Sequence, residues 1–180
     1  MDLAESQQDT RIRQQTFSWL AEQIERYGDV LPRALLATGF QSADHQIRLV
    51  GPQGIFKPKA LRLPLSITTA PSGPYRDSFS GDLLLYKYRG TDPNHHDNDD
   101  LRQAMLERVP LVYLHGIAKG KYVAAWPVFI VGANPTNLTF SVAVDDAAAT
   151  GLADRISDAT TVSSPQDEGR RAWVTRKFRQ

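Results

Sequence analysis

Hydrophobic positions recur along this chain at two different periods, and the period changes near residue 40. In residues 6–28, Phe17, Leu20, Ala21 and Ile24 fall on one helical face. Ser6 and Asp9 suit a capping box at the start of that helix, and Gly28 is its stop. A second short helix is expected over residues 29–39, with Asp29 as cap and Gly39 as terminator. Six short β-rich runs follow: IRLVG (47–51), LPLSITT (63–69), LLLYKYR (83–89), LVYLHGI (111–117), YVAAWPVFIVG (122–132) and LTFSVAV (138–144). Between the third and fourth, NDDLRQAML sets Leu101, Ala104 and Met105 at helical spacing, and Pro110 blocks any extension. Near the end, Ser164 before Pro165, Asp167 and Glu168 opens a last helix whose final stretch, RRAWVTRKFRQ, is basic and amphipathic.

The strands do not alternate with crossover helices, which argues against a doubly wound sheet. The expected class is α+β. Two N-terminal helices precede a curled, mostly antiparallel sheet or partial barrel with one inserted helix, and a C-terminal helix closes the chain. Residues 151–169 form the one polar, hinge-like stretch, so a recognition domain over 1–150 and a connector over 151–180 are expected.

Composition narrows the options. A chain of 180 residues can bury a sizeable core without covalent staples. With no cysteine it has no disulfide, thiolate nucleophile or cysteine zinc site. No apolar run reaches the roughly 18 residues of a membrane helix, and MDLAESQQDTR is no secretory signal; a cytoplasmic location is the default. The net charge of +1 hides an uneven distribution. Between residues 48 and 89 stand Arg48, Lys57, Lys59, Arg62, Arg76, Lys87 and Arg89, against only Asp77 and Asp82. Clustered positive charge in a neutral chain points to an anionic partner, or otherwise to a solvated basic face.

Candidate chemistry lies in a few places. GTDPNHHDNDD (90–100) offers imidazoles and carboxylates to a divalent metal. Turn chemistry at Asp92-Pro93-Asn94 and helix capping by Asp97 or Asn98 explain the same residues more simply. Adjacent His95 and His96 in an extended segment would also face opposite ways, which suits chelation poorly. No nucleophile elbow, phosphate loop or dinucleotide fingerprint is present, so no catalytic residue, cofactor or metal is expected. Loop 72–82 carries Pro74-Tyr75-Arg76, a suitable hand for a phosphate or base edge. LYKYRG sets Lys87 and Arg89 opposite Tyr86 and Tyr88. Pro127 inside a strand pattern belongs at an edge or bulge, and Trp126 beside it could wall an apolar notch.

These runs carry a resemblance. GPQGIFKPKALRLPLSITTAPSGPYRD, LLLYKYRGTDPNHHDN, PLVYLHGIAKGKYVAAWPVFIVG and LTFSVAVDD resemble a bacterial domain that precedes HNH nuclease domains. They are similar to the sulfur-binding domain of McrA-like type IV restriction endonucleases, over roughly residues 17–178, with the final basic stretch resembling the connector into the HNH part. The resemblance implies a reader of phosphorothioate DNA, in which sulfur replaces a non-bridging phosphate oxygen. Trp126, Pro127 and Ile130 would then form a sulfur pocket with His95, His96, Tyr75 and Arg76. Many relatives have arginine where His96 stands, a departure that puts one phosphate contact in doubt and makes affinity more dependent on pH. Arg62, Ser72, Gly73, Asp77, Lys87 and Arg89 would contact DNA, as would Gly90, Thr91, Asn94, His115, Lys119 and Lys121. The implied partner is duplex DNA, with no membrane and with homodimerisation through the full-length protein.

Sulfur is poorly hydrated and accepts hydrogen bonds weakly. An apolar notch would favour it over oxygen by roughly 1–3 kcal/mol, the scale of one unpaired buried polar group. Three competitors stand beside this expectation: a reader of another DNA modification such as methylated cytosine, a metal-dependent nuclease using His95, His96 and Asp97 or Asp99, and an interaction domain unrelated to DNA.

Overall fold

In the computed structural model, residues 2–71 and 83–144 are described, together with the backbone of 78–80. Residues 72–77, the connector and the C-terminal helix expected over 151–180 lie outside the described residues. Helix α1 (Leu3–Tyr27) starts earlier than its capping signals suggest, because Asp2, not Ser6, accepts the first free amide, that of Ala4, at 3.5 Å. Asp9 therefore lies inside the helix and pairs with Arg13 one turn on at 2.7 Å. Ile12, Thr16, Leu20 and Gln23 make the buried stripe, Phe17 and Ile24 pack beside it, and Ala21 is exposed. The second helix shrinks to α2 (Arg33–Thr38), because residues 31–32 form a strand, β1 (Leu31–Pro32), paired with a later one. Asp29 is consequently no cap.

The remaining strands are β2 (Phe40–Ser42), β3 (His45–Ile47), β4 (Ile55–Phe56), β5 (Ser66–Thr69), β6 (Ser78–Ser80), β7 (Leu83–Lys87), β8 (Leu111–Ala118), β9 (Lys121–Asn134) and β10 (Thr139–Val144). Helix α3 (His96–Glu107) lies between β7 and β8. β2 and β3 form a hairpin, and the main sheet runs β4-β5-β8-β9-β10-β7-β6, with β1 on β9. All its pairs are antiparallel except β5–β8. The sheet curls into a half-barrel: the Tyr86 hydroxyl on β7 donates to the Thr68 carbonyl on β5 at 3.2 Å, although three strands separate them in sheet order.

Both sheet faces are covered, which is why LVYL in β8 is apolar throughout. Leu111 and Tyr113 join Ile67, Tyr86, Tyr88, Leu101 and Phe140 inside the curl, under α3. Val112 and Leu114 join Ile12, Leu20, Leu36 and Leu65 outside it, under α1. The alternation breaks in β9. Val123 and Ala125 point inward, yet so do Val128 and Ile130, because three steps of β9 oppose two of β8 between the Leu111–Val128 and Tyr113–Ala125 pairs. Pro127 sits in that bulge, the position a residue without an N–H tolerates.

Arg13 locks the outer layer. Its guanidinium, 2% exposed, donates to Asp9 and to the carbonyls of Leu63, Pro64 and Pro110. A buried charge satisfied on so many sides holds α1 to the loops entering β5 and β8.

Candidate nucleic-acid interface

The basic excess between residues 48 and 89 does not survive folding as one patch. Helix α3 presents carboxylates along its length, and three of those cations pair with them. Lys57 meets Asp100 at 2.7 Å, Arg62 meets Glu107, and Arg89 meets Asp97. The Gln103 amide chiefly, and then the Arg62 guanidinium, hold the Glu107 carboxyl below the usual carboxylate range, with burial opposing them. Arg62 and Arg89, expected to contact phosphate, thus spend charge on holding α3 against the loops around it.

Other cations have no carboxylate partner among the described residues. Lys119 and Lys121, both exposed, flank Gly120 in the β8–β9 turn. Gly120 takes φ +69°, which favours glycine. The Gly120 carbonyl accepts from the Arg33 amide at 2.9 Å, and the Arg33 guanidinium donates to the Gly51 carbonyl at 3.0 Å. One corner therefore gathers Arg33, Lys119 and Lys121 from distant parts of the chain. Next to it, with Gly51 on its wall, is a cleft of about 540 Å³ lined in part by His45, Arg48, Phe56, Lys57 and Lys59. Lys87 stands apart, half-buried on β7 towards the other end of the sheet order.

A chain of polar side chains links β5 and β8 near this corner. Thr69 Oγ1 lies 3.1 Å from the Tyr113 hydroxyl, which lies 2.9 Å from His115 Nδ1. His115 is half-buried, three residues before Ala118 at the end of β8, or about 10 Å along the strand.

Residues 89–95 form a second, well-supported loop. Asn98 is fully buried; its side chain accepts from the Arg89 amide at 2.8 Å and donates to the Arg89 and Asp92 carbonyls at 3.0 Å each. Arg102 adds a bond to the Pro93 carbonyl at 2.7 Å. Thr91 and Asn94 are left exposed on this loop, and Gly90 turns it at φ +64°. Beneath it Tyr88 stacks on Phe140 with ring centres 4.2 Å apart, so the tyrosines of LYKYRG belong to the core.

His95 caps α3, its Nδ1 accepting from the Asp97 amide at 3.1 Å, and His96 opens the helix. The segment is therefore not extended. The two imidazoles do not face opposite ways, as an extended segment requires, but lie side by side with ring centres 4.3 Å apart. His95, His96 and Asp97 bring potential ligand atoms within 4.8 Å of one another, although the Arg89 guanidinium on the same carboxylate opposes a cation there.

The residues expected to line a sulfur pocket are dispersed. Pro127 lines a cleft of about 760 Å³ with Phe17, Phe129, Arg62, Arg108 and others, beside the C-terminal end of α3. Trp126 packs into the outer core under α1. Ile130 is 3% exposed inside the curl, because the bulge at Pro127 turns it inward. His95 and His96 stand at the other end of α3, whose 12 residues span about 18 Å. Among the described residues these five do not meet in one notch. Ser72, Gly73, Tyr75, Arg76 and Asp77 lie outside the described residues.

Sequence reasoning missed Arg33, Arg13 and the buried role of Asn98. Nothing local marks the first two, whereas an asparagine at a helix start signals a cap, not a buried brace.

No family model matches the chain, and no curated protein does. Among solved structures, the SUVH5 SRA domain with hemimethylated CG DNA is 20% identical over 56% of this chain and 76% of that one, with a TM-score of 0.41. The SUVH5 SRA complex with methylated CHH DNA is 19% identical over 61% of this chain and 88% of that one, with a TM-score of 0.39. A likeness at that level fixes no ligand.

Proposed function

We propose that this chain is a DNA-binding module that reads a chemical mark on duplex DNA, with a modified base such as methylated cytosine as that mark. The observation that carries the reading is the corner of Arg33, Lys119 and Lys121, free of carboxylate partners among the described residues, with half-buried His115 nearby on β8. Cations on a turn suit phosphates and set register without reading sequence. Half-buried His115, backed by the buried Tyr113 and Thr69 hydroxyls, would meet a base edge presented out of the helix. A methylated base is also what the SUVH5 SRA domains noted above are bound to; at a TM-score of 0.41 or below that adds no weight.

A phosphorothioate remains the second reading, favoured by Pro127 and Phe129 standing beside Arg108 in one cleft. An apolar wall beside one cation suits a soft, poorly hydrated atom on a charged backbone. In either case the chain binds and does not cut, as the targeting part of a modification-dependent endonuclease acting in the cytoplasm.

The test compares one duplex in three forms: unmodified, with methylated cytosine, and with a single stereodefined phosphorothioate. Tighter binding to the methylated duplex is expected, and equal binding to all three would refute mark reading. A phosphorothioate preference abolished by Pro127→Ala would establish the second reading instead. Duplex cleavage by the isolated chain with added magnesium or manganese would overturn the assignment as a binding module.

A further inference from the structure

We propose that the cleft between the β2–β3 hairpin and residues 51–60 holds one unpaired nucleotide, its base against Phe56 and its phosphate between Arg48 and Lys59. The inference deepens the DNA-binding reading and rests on it for the source of the strand. Arg48 and Lys59 are exposed, and neither makes a hydrogen bond or ion pair among the described residues. Lys57 on the same wall is already paired with Asp100, and Asp44 is the one acid lining the cleft among the described residues. Its walls therefore carry net positive charge.

The floor is apolar. Val50 and Pro58 are buried, and Phe56 is half-exposed. The Phe56 ring is held against the chain itself: a Cβ on Gly51 would meet its Cδ2 and Cε2 at 2.7 and 2.8 Å. A ring so fixed presents a face without ordering cost when a base arrives. A volume of about 540 Å³ lies within the range of small-ligand sites and suits a single nucleotide rather than a duplex. An acidic peptide would satisfy the cations but would leave the aromatic face without a flat partner.

The measurement is fluorescence anisotropy of the full chain with a labelled single-stranded oligothymidylate, alongside a blunt unmodified duplex. Unlabelled thymidine monophosphate, inorganic phosphate and polyglutamate serve as competitors. Phe56→Leu, which keeps an apolar group against Gly51, should weaken single-strand binding about tenfold while duplex binding stays within twofold. The double variant Arg48→Ala, Lys59→Ala should weaken single-strand binding at least as much and flatten its salt dependence. Displacement by thymidine monophosphate would extend the site to free nucleotides, whereas competition by the oligonucleotide alone would confine it to strands; both support a nucleotide subsite. Single-strand binding that ignores both variants overturns the proposal, as does displacement by inorganic phosphate or polyglutamate at the same concentration as by the nucleotide. Single-strand binding without duplex binding would sink the function proposed above and leave this site standing. Duplex binding without single-strand binding would do the reverse.

Discussion

The cations along α3 and the cations around Gly120 look alike in sequence and serve different ends in the fold. Lys57, Arg62 and Arg89 each face a carboxylate of α3, so their charge is met within the molecule and ties that helix to the loops around it. Arg33, Lys119 and Lys121 are drawn together by backbone hydrogen bonds and meet no carboxylate among the described residues. A run of basic residues therefore does not locate an anion site. What locates it is the set of cations left over once the acids of the fold have been assigned.

That contrast can be broken from the α3 side. Asn98→Ala should cost about 1–3 kcal/mol, since it empties a fully buried site and leaves the Arg89 amide and the Arg89 and Asp92 carbonyls without their partner; denaturant unfolding reads the loss. It can be sharpened from the corner. Lys119→Ala with Lys121→Ala should leave the thermal midpoint nearly unchanged yet lower the slope of log affinity against log salt by about two. An unchanged slope would mean that phosphates bind elsewhere. Arg89→Ala should show the opposite profile, with under about 1 kcal/mol lost in thermal denaturation and duplex affinity altered by less than twofold.

The smallest effect concerns Glu107. Its folded pKa lies below the ordinary value, so its links to Gln103 and Arg62 favour the folded state above the ordinary carboxylate pKa and are lost as pH falls through the lowered one. The stability gap between wild type and Glu107→Gln should be present at pH 7 and close in acid. A gap that persisted there would show that packing, not charge, joins α3 to Arg62.

Much of the architecture was legible in the pattern. Six expected β-rich runs correspond to strands or their immediate neighbourhood, and the helix around Leu101 and Ala104 ends before Pro110 as expected. Failures came where pairing overrode local preference. Asp29 reads as a cap, but residues 31–32 are recruited by β9. IRLVG reads as a strand, but only Ile47 pairs, and Leu49 is buried under α1 without a ladder. Of the candidate site, Lys119 and Lys121 are exposed and His115 is half-buried. The grouping of Trp126, Pro127, Ile130, His95 and His96 was not recovered, since the bulge and the length of α3 separate them.

The chain's own residue order determined the helix and strand periods, the proline bulge in β9 and the local basic excess, because each arises between neighbours a few positions apart. Only the tertiary structure decided which cations meet carboxylates, which tyrosines are buried and where His95 lies relative to Pro127. Those outcomes depend on contacts between residues far apart in sequence, as Arg62–Glu107 and the Arg33–Gly120 bond show. No local pattern encodes them.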